Sequence, residues 1–465
     1  MPSTIIARAS RAIRPADFLV SDSSAPVNPP SIEALRGSFA EFARPVGAHL
    51  LERTAPITDW ITARRDARVW PYARAVVGKV GATIYAEGET GEIREGLNFA
   101  TQDYLSLAAH SRVLHAAADA LRCYGVHSGG SSALQGRSDI SRALEQEIGD
   151  ALNTEHVVLF SSGWGAAFGA VTALVRADDH IVLDRLAHAS LQTGAAAATR
   201  NITCVEHLSV DALGAALREI RSSDARNGIL AITEGLFSMD SDSPDLRAMQ
   251  SVCREYGATL LVDVAHDFGS LGPGGTGHIG RDGMLGDIDL VMGSFSKTFA
   301  SNGGFVATRQ ASVRSYIEAF GGPHAFSNAM SPVQIATVRE ALRIVRSAEG
   351  DARRESLMTA VLTLRAALAA YGLRCQGEPS AVVPVMVGHS AIARLASGDV
   401  LKHGLFANLV EFPAVGVRAA RFRMQVQSDH TPAQALEAAS IMSRAIAESR
   451  TTWDRIRNAP ATNCA

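Results

Sequence analysis

The sequence predicts an α/β fold with a mostly parallel central sheet, followed by a smaller C-terminal α+β domain. Three observations carry that expectation. Between residues 96 and about 310, short apolar runs (HVVLF, HIVLD, GILAITEG, TLLVDVAHD and IDLVMGSF) alternate with helix-length segments. That rhythm belongs to strands joined by helical crossovers. Polar and small residues gather just after those runs, where an open parallel sheet collects its ligands. The pattern then changes: a long helical stretch, ARRESLMTAVLTLRAALAAYG, leads to VVPVMVG, VLKHGLFANLVEFPAV, ARFRMQVQSDHT and a closing helix.

A chain of 465 residues exceeds one ordinary core, so two or three domains are expected. Residues 1–30 end in SDSSAPVNPP and read as a flexible leader, with an organellar transit peptide as the alternative because Arg8, Arg11 and Arg14 precede the first acid, Asp17. Residues 31–95 read as an N-terminal helical segment to which no chemistry is assigned. Residues 96–345 form the expected large domain and 346–460 the small one.

Composition narrows the function classes. The chain is 47% hydrophobic and 20% charged, with a net charge of -3, so it lacks the basic field that nucleic acid requires. Five cysteines without paired spacing suit reduced thiols and a cytoplasmic location. The uncharged run 157–175 is long enough to raise the question of a transmembrane segment. Its central SSGWG divides it into a short strand and a small-residue helix instead.

Only three of the 44 basic residues are lysines: Lys79, Lys297 and Lys402. Lys297 sits between the apolar IDLVM and the small-residue ASNGG, the pattern of a buried strand and a tight loop. An arginine stays protonated, whereas a partly desolvated lysine can lose its proton and attack a carbonyl. Other strand ends offer Asp263 and His266, Glu234, Ser238 and Asp240, and Asp184 and His188. A zinc site lacks HExxH or paired-cysteine spacing, and GSFSKT lacks the GxxxxGK[ST] of a nucleotide-binding loop, so no metal is expected. SSGWG at 161–165 instead sets small residues before a helix, whose free N–H groups can hold a phosphate. A reactive amine, a strand-end acid, imidazoles and a phosphate cradle are together what pyridoxal 5'-phosphate needs.

Several motifs in order resemble the α-oxoamine synthases, fold-type I pyridoxal-phosphate enzymes that join an amino acid to an acyl thioester with loss of carbon dioxide. NFATQDYLSL, YGVHSGGSSALQG, SSGWGAA, LDRLAHAS, TEGLFSMDSDSPDL, LVDVAHDFGSLGPGGTG and GSFSKTFASNGGF follow one another between about Asn98 and His430. The resemblance implies that Lys297 is the Schiff-base lysine and proton carrier, and that Asp263 partners the pyridine nitrogen. It further implies that His266 and Ser238 bond the ring oxygen and that His188 stacks on the ring. Ser162, Gly163, Trp164 and Ser294 then hold the phosphate. FSNAMSP is similar to a segment that reaches the partner's phosphate, so Ser327 and Asn328 imply a homodimer with shared active sites. ARFRMQVQSDHT resembles the motif whose first arginine, here Arg421, grips the substrate carboxylate.

The implied reaction is a decarboxylative condensation of Ser, Gly or Ala with a coenzyme A or carrier-protein thioester, giving an α-amino ketone. An aminotransferase, a lyase and a non-catalytic partner subunit are the alternatives. The chain departs from the family pattern at Ser132, Ser141, Ala167, Val264 and Asp267, which points to a specialised acyl substrate.

Overall fold

A computed structural model of the chain describes residues 30–89 and 91–458. The leader expected over 1–30 therefore lies outside the described residues apart from Pro30. Thirteen strands occur among the described residues: β1 (Val76–Val77), β2 (Thr83–Glu87), β3 (Ile93–Phe99), β4 (His156–Phe160), β5 (His180–Asp184), β6 (Ile202–Val205), β7 (Ile229–Glu234), β8 (Thr259–Asp263), β9 (Leu290–Ser294), β10 (Gly304–Thr308), β11 (Val382–Gly388), β12 (Leu405–Val410) and β13 (Ala420–Gln425). The chain divides into two compact units, one of residues 101–385 and 424–436, the other of residues up to 100, 386–423 and from 437.

The larger unit is built on a seven-stranded sheet of order β4-β10-β9-β8-β7-β5-β6. Strands β9, β8, β7, β5 and β6 run parallel, and β10 enters antiparallel to both β9 and β4. The expected five apolar runs are all strands of this sheet, and GFVAT adds the sixth neighbour that closes the gap to β4. Every residue of β7 and of β9 is buried, as suits strands covered on both faces. Helices cover them because their first turns are capped: Ser209 accepts from the Ala212 N–H at the start of Val210–Ser223, and Asp245 from the Ala248 N–H at the start of Leu246–Glu255. The run 157–175 resolves as anticipated into β4 and the helix Gly163–Leu174. Among the described residues no helix is long and apolar enough to cross a membrane.

The units do not follow the sequential cuts at 95/96 and 345/346. The helix Ala348–Ala370 packs on the helix Pro332–Val345 within the larger unit. The segment 31–95, expected to be helical, is helical only to Asp66 and then supplies β1, β2 and the start of β3. In the smaller unit β3 pairs in parallel with β12, matching Leu97 with Leu405 and Phe99 with Ala407, within the sheet β1-β2-β3-β12-β13-β11. Strand pairing between residues 300 apart is set by packing and leaves no local trace in sequence. The helical part is strapped down by buried arginine: Arg394 pairs with Glu411 at 2.7 Å and donates to the Gly37 carbonyl at 2.7 Å, while Arg64 donates to the Arg36 carbonyl at 2.6 Å. Phe39, Trp60, Trp70 and Tyr72 close over them as an edge-to-face aromatic cluster.

Candidate active site

The parallel strands end together, and that edge collects the polar residues. Asp184 closes β5, Glu234 closes β7, Asp263 closes β8 and Ser294 closes β9. Register pairs Glu234 with Asp263, and Asp263 with Met292, so the carboxylates of β7 and β8 lie side by side. Three residues beyond Ser294 comes Lys297, half-buried in the tight loop that returns the chain into β10.

Asp263 is almost fully buried and accepts the Ala265 N–H at 2.8 Å. Burial raises its pKa to about 6, against the opposing pull of the Lys297 ammonium and that N–H. Glu234 is pushed well above the usual carboxylate range, by burial first and by the neighbouring Asp263 second. It takes the His188 backbone N–H at 2.6 Å and is lowered in part by Lys297. One lysine therefore faces two buried acids at a strand edge.

The two imidazoles follow β5 and β8. His266, buried three residues after Asp263, is held by the Tyr104 hydroxyl at 2.8 Å from its Nδ1. His188 caps the helix Ala189–Ala198, its Nδ1 2.7 Å from the Ser190 hydroxyl, and it presents an exposed ring to which Trp164 is the edge-on neighbour at 6.1 Å. Ser238 lies half-buried in the loop after β7.

The expected phosphate cradle rests on backbone closeness. Ser162 caps the helix Gly163–Leu174, taking the Gly165 N–H at 3.0 Å. A Cβ on Gly163 would fall 2.5 Å from both the Cβ and the Oγ of Ser294, and one on Gly304 would fall 2.7 Å from the Gly163 Cα. Glycine at 163 thus lets the helix N-terminus close on the Ser294 hydroxyl, which itself lies 2.8 Å from that of Ser296. N–H groups, a positive dipole end and hydroxyls converge there, the donor set a phosphate takes. The residues present fit pyridoxal phosphate.

The remaining expected residues are placed as follows. Ser327 and Asn328 are exposed, with the Asn328 amide 3.3 Å from His127 and Asn328 bridged to Ser131 of the glycine-rich loop. Arg421 lies in β13 of the smaller unit, only 4% exposed, with its Nε donating to the Ala419 carbonyl at 3.0 Å. A surface strand arginine is thereby ruled out. Four of the five departures turn inward rather than toward a substrate. Ser141 is buried and completes a capping box with Ser138, and Ala167 is in the core. Val264 packs where a Cβ on Gly293 would come within 3.3 Å of it, and fully buried Asp267 takes the His278 N–H at 2.8 Å. Only Ser132, half-exposed in the glycine-rich loop, can face a substrate. The specialised acyl group inferred from the other four loses its basis.

Tyr104, Glu234 and His207 are functional candidates to which the sequence reading gave no role. Tyr104 stands in the quoted NFATQDYLSL and could have been found there. His207 carries no local signal, because its partners lie 23 residues before and 35 after it.

Comparison with known proteins shows the family. Residues 94–441 match the family model described as aminotransferase class I and II. The 8-amino-7-oxononanoate synthase of Geobacter sulfurreducens is 32% identical over 391 residues, 84% of this chain and 98% of that protein. The enzyme of that name from Klebsiella pneumoniae is 35% identical over 341 residues, 72% of this chain and 86% of that one. Among solved structures, the serine palmitoyltransferase of Sphingomonas wittichii superposes with a TM-score of 0.81 at 26% identity, covering 87% of this chain and all of that one. A serine palmitoyltransferase carrying pyridoxal phosphate gives 0.80 at 27% identity, over 86% of this chain and 99% of that one. The chain belongs to the class I and II aminotransferase family and, within it, to the α-oxoamine synthases, pyridoxal-phosphate-dependent acyltransferases of fold type I.

Proposed function

We propose that the protein condenses a small amino acid (Ser, Gly or Ala) with an acyl thioester, releasing carbon dioxide and a free thiol and leaving an α-amino ketone. The observation that carries this reading is the single half-buried lysine facing two buried strand-end carboxylates. Pyridoxal phosphate bound there supplies the electron sink for a carbanion at the α-carbon of the amino acid. Lys297 holds the cofactor covalently when no substrate is present, and its freed amine takes and returns the α-proton. Asp263 keeps the ring nitrogen protonated. His266, held by Tyr104, and Ser238 bond the ring oxygen, and His188 covers one ring face. Ser162, Gly163, Trp164 and Ser294 hold the phosphate. Arg421 takes the substrate carboxylate, a task suited to a planar guanidinium.

Ser327 and Asn328 complete the phosphate site of a second copy in a cytoplasmic homodimer. The exposure of Phe326 at 92%, Leu134 at 75% and Val126 at 72% around the glycine-rich loop supports that reading, because isolated monomers seldom expose such side chains together.

Visible absorption of the purified protein, titrated with glycine, alanine and serine, tests the proposal together with thiol release from an acyl thioester. A visible band that shifts with one amino acid, and thiol release that depends on that amino acid and on Lys297, are expected. Transamination with 2-oxo acids in place of thiol release refutes it.

A further inference from the structure

Three loops of the larger unit converge on one imidazole. His207 follows β6, and its Nδ1 lies 2.9 and 3.0 Å from the two carboxylate oxygens of Asp184, at the end of β5. Its Nε2 lies 3.2 and 3.3 Å from those of Asp242, in the loop after β7. The ring stands edge-on to Phe237 with centroids 4.5 Å apart, so it has little freedom to turn. Next to it, the Leu208 N–H donates to Asp184 at 2.9 Å from a backbone with φ of 59°, a left-handed conformation that a leucine seldom adopts. A strained residue that persists beside a bridging contact is held there by its surroundings.

Burial pulls the imidazole's pKa down, but the bonds to Asp184 and Asp242 outweigh it and raise it to about 9. Asp240 brings a third carboxylate, so that His207, Asp240 and Asp242 each set one ligand atom within 4.8 Å of the others. A metal is nevertheless a poor occupant. An imidazolium that donates both N–H groups has no lone pair to offer a metal.

What the bridge joins gives it a purpose. Four residues after Asp184 comes His188, and four before Asp242 comes Ser238. One is expected to cover the cofactor ring, the other to bond its oxygen, and they ride on separate loops that begin at the neighbouring strands β5 and β7, where the His188 N–H donates to Glu234 at 2.6 Å. We propose that His207 is a positioning residue: by tying Asp184 to Asp242 it fixes the separation between the His188 ring and the Ser238 hydroxyl. This inference rests on the cofactor site proposed above.

The test uses the full-length holoenzyme with pyridoxal phosphate as the probe. Cofactor affinity is measured by visible absorbance in the wild type, His207→Ala, Ser238→Ala and the double variant, with kcat and KM for the amino acid and the melting temperature of each apoprotein. His207→Ala should weaken cofactor binding by about tenfold or more and lower kcat more than it changes KM, as loss of an ordered network does. Ser238→Ala should weaken binding in the wild type but add little in the His207→Ala background, because the hydroxyl is already misplaced. Added imidazole should restore part of the loss.

Unchanged affinity and kcat in His207→Ala, or strictly additive effects of the two substitutions, overturn the proposal even if the melting temperature falls. If His207→Ala does not fold, Asp242→Asn, which weakens one arm only, takes its place in the cycle with the same two outcomes. A wild type that binds no cofactor, or keeps its visible band after Lys297→Ala, sinks the site reading itself, which separates the two failures.

Discussion

Gly163→Ala probes the cradle, because one methyl group there meets a defined obstacle. The added Cβ arrives 2.5 Å from the Ser294 Cβ and Oγ and 3.3 Å from its Cα. The first two are side-chain atoms on a buried strand end; turning the side chain moves Oγ but not Cβ, so relief requires β9 or the helix start to shift. Overpacking of this kind costs about 1–3 kcal/mol, from which the gain in helix propensity on replacing glycine recovers up to about 1 kcal/mol. The apoprotein should therefore lose up to about 3 kcal/mol of stability.

Cofactor binding should suffer more. Displacing the Ser294 hydroxyl removes a hydrogen bond to a charged phosphate, about 1.5–3 kcal/mol, or roughly 10- to 150-fold in affinity. The assay is a visible-absorbance titration with pyridoxal phosphate beside denaturant unfolding of the apoprotein. Adding Ser294→Gly removes both clashing atoms, so the double variant should regain stability without regaining affinity. Wild-type affinity in Gly163→Ala, or affinity restored in the double variant, refutes the placement of the phosphate at this helix end.

Three further outcomes follow from the site. Lys297→Arg keeps the positive charge opposite Asp263 and Glu234 but has no nucleophilic amine, so the visible band and thioester-dependent turnover should both vanish while the apoprotein melts near the wild-type temperature. Asp263 has a folded pKa raised from 3.8 to about 6. The folded apoprotein therefore binds its proton more tightly than the unfolded chain, and the group's contribution to stability falls as pH rises through that window. Asp263→Asn should accordingly be the more stable apoprotein above pH 6, by a few kcal/mol at most, with the advantage gone below about pH 4 and turnover lost throughout. A variant less stable than wild type at pH 7.5 contradicts the assignment. Tyr104→Phe leaves the buried His266 Nδ1 without its 2.8 Å partner, which should lower kcat by about tenfold at nearly constant substrate KM, measured by thiol release.

Much of the site was legible because its residues are locally encoded. Lys297 stood out as an amine in an arginine-rich chain between a strand pattern and a glycine-rich loop. Asp263 and His266 lay at a strand end that alternation alone located. SSGWG declared its helix start through small residues. The limits were also local. Val264 and Asp267 differ from the family pattern near the site, yet their side chains face the core, and sequence does not say which way a residue after a strand points.

Sequence by itself determined the alternation of strand and helix through most of the larger unit, the edge on which the candidate chemistry stands and the one residue type able to start it. These depend on periodicity, turn chemistry and the properties of single side chains. Tertiary structure alone decided that β3 pairs with β12, that residues 348–370 remain with the larger unit, that Glu234 lies beside Asp263, and that His207 spans two loops. Each is a contact between residues far apart in the chain, chosen by strand register and by the burial of charge against its partner. No local pattern records such a choice, because its energy exists only once the chain has folded.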